Sequence, residues 1–178
     1  MNLEAKPLLS VGTKSLLFGV HQVFLHPIFV AIAWVKLYGF PWDPRLWVAF
    51  VVHDWGYHGC RNMDGMEGKA HPQTGGAMMR KLFGDAWGDL VLYHSRHYSK
   101  LMGKEPSKLC APDKLASALY PAWLYLLLAT LTGEIEEYMR PENCTVLTQR
   151  SGVPIVDKRS WFKALCKYLE QETKRTAA

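Results

Sequence analysis

The sequence predicts an all-α fold, a single compact helical bundle. Apolar residues recur mostly at helical spacing, without the alternation of strands and helices that marks a sheet-based enzyme. Proline, aspartate and glycine fall where helices start and stop. The length, 178 residues, suits one domain with its own core.

Residues 12–25 read as a first helix. A second spans 27–38, with Pro27 in its first turn. The stretch "YGFPWD" breaks it, and Asp43 caps a third helix over 44–55 with Pro44 in its first turn. Gly56, Gly59, Gly65 and Gly68 make 56–70 a loop. A helix from residue 72 ends at Gly84, and Asp85 caps another that continues to 98. Residues 99–110 read as loop. Pro112 opens the next helix, and Pro121 bends it or starts a new one that reaches 131. Residues 133–139 add a turn or two, and 141–157 look irregular, with "VPIV" at 153–156 as a short strand. Ser160 caps a last helix over 161–173. The motif-bearing core is 21–132, followed by a C-terminal extension over 133–178; residues 141–178 carry no specific functional signal.

With 49% apolar residues and seven tryptophans, the chain is not intrinsically disordered. Its formal charge of +5 suits an anionic ligand such as a phosphate ester. No dense Lys/Arg run interleaved with aromatics points to nucleic-acid binding as the main role, and the terminal "KRTAA" reads as a solvated tail. Cys60, Cys110, Cys144 and Cys166 form no C-x-x-C pair, so neither a zinc knuckle nor a redox pair is indicated, and free thiols in a reducing cytoplasm are expected. The N-terminus lacks a signal-peptide pattern. The apolar runs "FVAIAWV" and "AWLYLLLATL" fall short of the ~20 residues of a bilayer span, so a soluble protein without a membrane partner is expected. The oligomeric state is left open, a homo-oligomer included.

Seven histidines are the chemical signal: His21, His26, His53, His58, His71, His94 and His97. Any one of them reads as structural. Their placement changes that. His26 precedes Pro27 at a helix start, His53-Asp54 closes the helix after it, and His71 opens another. His94 and His97, three apart, share one helical face. Asp113 stands near the start of a further helix. Helix ends of a bundle can converge on one pocket, where metal sites are built. Imidazoles with carboxylates suit one or two ions of Mn, Fe, Co, Ni or Zn. A carboxylate beside an imidazole can bridge two such ions, and a metal lowers the pKa of water for attack on phosphorus.

The ordered set resembles the HD superfamily of metal-dependent phosphohydrolases, with its H … HD … D series. The matching segments are "HPIFVAIAWVKLYGFPWDPRLWVAFVVHDWGY", "HPQTGGAMMRKLFG", "DLVLYHSRH" and "SKLCAPDKLASAL", together covering about residues 26–118. The resemblance implies an HD-type bundle with His26, His53, Asp54 and Asp113 as ligands of the basic site. It implies His71 and His94 as added ligands of dinuclear members, and Asp54 as the bridge. His97 competes with His94, and His21 with His26. Many members carry Lys or Glu three residues after the Asp; this chain has Tyr57 there, then His58. Asp54, Tyr57 and His58 are therefore the candidate catalytic residues, Tyr57 or His58 as general acid.

Arg96 is the leading phosphate contact, with His97, Lys100 and Lys69 also candidates; Arg61 and Arg80 read as solvated. The loop "CRNMDGMEGKA" can form a rim, with Asp64 and Glu67 behind the ligands. Trp55, Tyr57, Tyr93 and Tyr98 can stack a base or simply pack. The expected activity is hydrolysis of a phosphorylated small molecule, a nucleotide. The alternatives are a di-iron oxygenase of the same type, or a catalytically silent module that binds a nucleotide or partner.

Overall fold

The computed structural model describes residues 9–63 and 65–177, with side chains described as far as Lys174. Residues 1–8, Asp64 and Ala178 lie outside the described residues. Every regular element among the described residues is helical.

The first helix, α1 (Val11–Phe18), is shorter than its apolar pattern predicts. Ser10 caps it through a hydrogen bond from the Thr13 N–H, and the chain turns away at Gly19. Helix α2 (Leu25–Tyr38) starts a little before the predicted Pro27. Helix α3 (Pro44–Val52) has Asp43 as its cap and Pro44 in its first turn, as the sequence predicts. It ends three residues early, because Trp55–Tyr57 tightens into a 3-10 turn that starts from Asp54. The loop that follows contains a short helix, α4 (Met66–Lys69). Helix α5 (Pro72–Phe83) packs against α6 (Asp85–Leu92) across Gly84.

The predicted helix 85–98 is broken. Tyr93, His94 and Ser95 leave the helical path, and Ser95 caps a separate α7 (Arg96–Leu101) by accepting the Tyr98 N–H. His94 and His97 therefore do not share a helical face. Part of the predicted loop 99–110 is also helical, in α7 and at the start of α8 (Cys110–Leu119). Pro121 starts a new helix, α9 (Ala122–Thr132), bent by 102° from α8. Then come α10 (Glu134–Tyr138), α11 (Pro141–Ser151) and α12 (Lys158–Ala177). Residues expected to be irregular form α11, and 153–156 is a connection with no strand partner. Asp157, not Ser160, caps α12: it accepts the Ser160 N–H at 2.7 Å, and the Ser160 hydroxyl accepts the Asp157 N–H at 2.9 Å.

Two apolar clusters hold the bundle. One joins Val30 and Trp34 of α2 to Phe50 of α3, Met79 of α5 and Val91 of α6. Phe50 is wholly buried, which contributes about 1.5–3 kcal/mol relative to exposure. The other joins Val20, Tyr120, Tyr125 and Ile135 to Trp161 and Phe162 of α12. Phe29 packs against both and stacks on Tyr120. The C-terminal extension is therefore part of the core. All four cysteines are free thiols. No single described helix is long and apolar enough to cross a membrane.

Glycine sets one helix contact close to the site. A Cβ on Gly75 of α5 would lie 2.3 Å from the Val52 carbonyl oxygen and 3.1 Å from the His53 Cα. Backbone cannot yield cheaply, so Gly75→Ala is expected to destabilise by about 1–3 kcal/mol and to loosen metal retention by displacing His53. Thermal melts with metal analysis of the variant check this.

Candidate metal centre

Helix ends converge as the ordered motif predicts. His26 lies in the first turn of α2, His53 caps the end of α3 and Asp54 follows it. His71 precedes Pro72 of α5, His94 sits in the break between α6 and α7, and Asp113 is in the first turn of α8. The ligand atoms of His26, His53, Asp54 and Asp113 all lie within 4.8 Å of one another, and so do those of Asp54, His71 and His94. Asp54 belongs to both groups. Its Oδ2 is 3.5 Å from His26 Nε2 and 3.3 Å from His53 Nε2, while its Oδ1 is 3.5 Å from the Nε2 of both His71 and His94. Asp113 Oδ1 is 3.2 Å from the Nε2 of His26 and of His53.

One local device aims three of the rings. His53 Nδ1 faces the Phe50 carbonyl at 2.9 Å, His71 Nδ1 the Gly68 carbonyl at 2.6 Å, and His94 Nδ1 the Val91 carbonyl at 2.6 Å. Each partner lies three residues back, among the last carbonyls of a helix, which have no intrahelical donor. The Gly68 and Val91 carbonyls also accept the backbone N–H of the same histidine; the added ring bond assigns the tautomer and turns Nε2 toward the centre.

The donor set fits a divalent cation. Burial alone would raise the Asp54 carboxyl, but the His53 charge, hydrogen bonds with His53 and His94 and the His21 charge together hold it well below the ordinary range. Asp113 is likewise held low, by hydrogen bonds with His26 and His53 that overcome burial. Burial, with the charge of His94, pushes His71 down to about 3. His71 is therefore neutral, its one N–H is spent on Gly68, and its bare Nε2 lies 3.0 Å from His94 Nε2. Burial also holds His26 below the ordinary value. His53 departs from the pattern: against the effect of burial, Asp54 and Asp113 raise it well above the ordinary value. A cation would take the place of that proton. Asp54 Oδ2 is buried without a hydrogen-bond partner, a costly lone pair unless something positive meets it. Ionised carboxylates and imidazoles, acceptors once His53 has given up its proton and gathered in two groups that share Asp54, are what one or two transition-metal ions require.

The centre opens into a cavity of about 480 Å³. Lys69, Arg96, His97 and Lys114 line it, and Tyr125, Tyr138, Trp161, Leu165 and Leu169 form an apolar wall. Lys69, a candidate phosphate contact in the sequence, is at the cavity wall. His97 is exposed at the cavity, while His94 is buried among the ligands, so the two are separated by the chain break. Arg96 reaches the cavity but is ion-paired with Glu172 of α12. Lys100 is exposed and is not among the lining residues, which corrects its assignment as a substrate contact. Tyr57 lines the cavity and stacks on His71, with ring centroids 4.2 Å apart. His58 is exposed and lines a different, apolar hollow with Leu16, Val23 and Trp55, so the structure removes it from the centre. Of the four aromatics placed beside the ligands by sequence, Tyr57 alone lines the cavity. Arg80 pairs with Asp85 and Asp89, and Glu67 accepts the Arg61 N–H. Met63, Gly68 and Lys69 place the 60–70 loop at the rim.

Sequence reasoning missed Lys114, the α12 wall and Glu134. Lys114 adjoins Asp113, which was a usable signal; nothing in the spacing of α10 and α12 ties them to the motif. Comparison with known proteins finds no family model, no curated protein and no solved structure that matches the chain.

Proposed function

We propose that the chain is a metal-dependent phosphohydrolase of HD type, cleaving a phosphoester or phosphoanhydride bond of a nucleotide. The observation that carries this reading is the Asp54 carboxylate, whose two oxygens face two separate groups of imidazoles. His26, His53, Asp54 and Asp113 would hold one ion, and Asp54, His71 and His94 a second. Divalent ions so held supply a water of lowered pKa and a positive clamp for phosphoryl oxygens. Lys69, Lys114, Arg96 and His97 offer cationic and hydrogen-bonding groups to the phosphate, and a phosphate oxygen would compete with Glu172 for the Arg96 guanidinium. Tyr57 packs on His71 and keeps that ring in place. The aromatic wall can face a base. Four free thiols suit a reducing compartment such as the cytoplasm.

Elemental analysis of the purified chain, with a screen of nucleoside mono- and triphosphates, dinucleoside polyphosphates and cyclic nucleotides, tests the reading. Metal-dependent phosphate or nucleotide release is expected. No bound metal after Mn, Co or Fe loading would sink it. Oxygen uptake without phosphate release would transfer the same ligands to the di-iron oxygenase reading. Within a confirmed activity, Arg96→Ala is expected to raise KM about tenfold, the low end for a charged hydrogen bond, while Lys100→Ala leaves KM unchanged. Steady-state kinetics of both variants check it.

A further inference from the structure

Glu134, at the start of α10, is wholly buried and belongs to neither ligand group. Its Oε1 accepts from Ser15 Oγ at 2.6 Å and from the Tyr138 hydroxyl at 3.1 Å, and lies 3.1 Å from His21 Nδ1. Its Oε2 accepts from Thr132 Oγ1 at 2.5 Å and from the Val20 N–H at 3.3 Å. The contact is close: a Cβ on Gly19 would fall 2.3 Å from Oε2. Burying a carboxylate costs several kcal/mol, and a staple between helices works as well or better with apolar groups. An ion placed here has a use beyond holding α1 to α10.

His21 supplies that use. Among the described residues it is the one ionisable nitrogen partner of Glu134, it lines the cavity, and its ring lies 5.6 Å from that of His26 and 5.1 Å from that of Tyr57, centroid to centroid. When the ring is neutral and gives its Nδ1–H to Glu134, its other nitrogen, Nε2, is an acceptor on a cavity-lining side chain beside the first ligand.

We propose that His21, oriented by Glu134, is a further catalytic residue that takes the proton of the attacking water. The inference rests on the phosphohydrolase reading. As the water oxygen bonds to phosphorus, one water proton passes to His21 Nε2. The bond from phosphorus to the leaving oxygen breaks, and its electron pair goes with that oxygen, which takes a proton from solvent. His21 then releases its proton to solvent, so one water is consumed per bond cleaved. Glu134 is a positioning residue: it fixes the tautomer and stabilises the imidazolium that forms.

His21→Asn tests this, because the Asn amide can still donate to Glu134 while it offers no base. The variant is expected to keep its fold and metal content, with kcat down about 100-fold, as removal of a general base predicts, KM little changed, and part of the rate restored by added imidazole. In the wild type, nitrogen-15 NMR at alkaline pH should show the Nδ1–H tautomer of His21, and Glu134→Gln should lose it. Wild-type kcat in His21→Asn, loss of its metal, or an Nε2–H tautomer would each overturn the role of His21 while leaving the phosphohydrolase reading intact. A wild-type chain that releases nothing from any phosphate ester would overturn both.

Discussion

Asp54→Ala is expected to empty both halves of the centre at once. Asp54 is the one ligand common to both groups, with Oδ2 serving His26 and His53 and Oδ1 serving His71 and His94. Losing a partner that merely orients a ligand costs 10–100-fold in metal affinity or activity; losing the shared ligand is expected to cost more than about 100-fold in both. Stability reports the same event independently of turnover. A ligand at about a hundred times its Kd stabilises the folded state by about 2.7 kcal/mol. For a chain of this size each kcal/mol is worth about 2–4 °C in Tm, so chelation is expected to lower the wild-type Tm by roughly 5–11 °C. Asp54→Ala should melt at the same temperature with or without chelator. Thermal melts of both proteins, each with and without chelator, check this.

Glu134→Ala is expected to be the most damaging change away from the ligands. Removing one partner of a buried charge network costs about 3–5 kcal/mol, which predicts a Tm lower by roughly 6 °C or more. Burial by itself would raise the Glu134 carboxyl, but the hydrogen bond and charge of His21, with the Ser15 and Thr132 hydroxyls, hold it below the ordinary glutamate value. A depressed carboxylate contributes stability that is present above its unfolded pKa and lost as pH falls through its folded one. The stability gap between wild type and Glu134→Gln should therefore narrow in acid. Urea titrations at neutral and acid pH check that sign.

These two residues also mark what the sequence could and could not say. Asp54 was legible because a helix closing in His-Asp belongs to an ordered series of ligands at helix ends. The bundle itself was legible from Asp43, Pro44 and Gly84 as start and stop signals. The break at Tyr93–Ser95 was not, since the apolar spacing continues across it. Only the Ser95 cap and the His94 bond to Val91 show that the chain leaves the helix to aim one imidazole inward and leave His97 outside. His58 looked equivalent to Tyr57 because the two are adjacent, yet the 3-10 turn sends them to different hollows. Glu134 was invisible because its partners Ser15, Val20 and His21 stand more than a hundred residues away. Helix α11 was missed because its sequence is polar, and its C-terminal Gly152 signal was read as part of an irregular stretch.

The most direct test of a centre bridged by Asp54 is metal stoichiometry, read by elemental analysis after loading with Mn, Fe or Co and removal of free ions. The wild type is expected to hold two ions per chain, His94→Ala one, and Asp54→Ala none. An Asp54→Ala chain that retained the wild-type metal content would contradict the account.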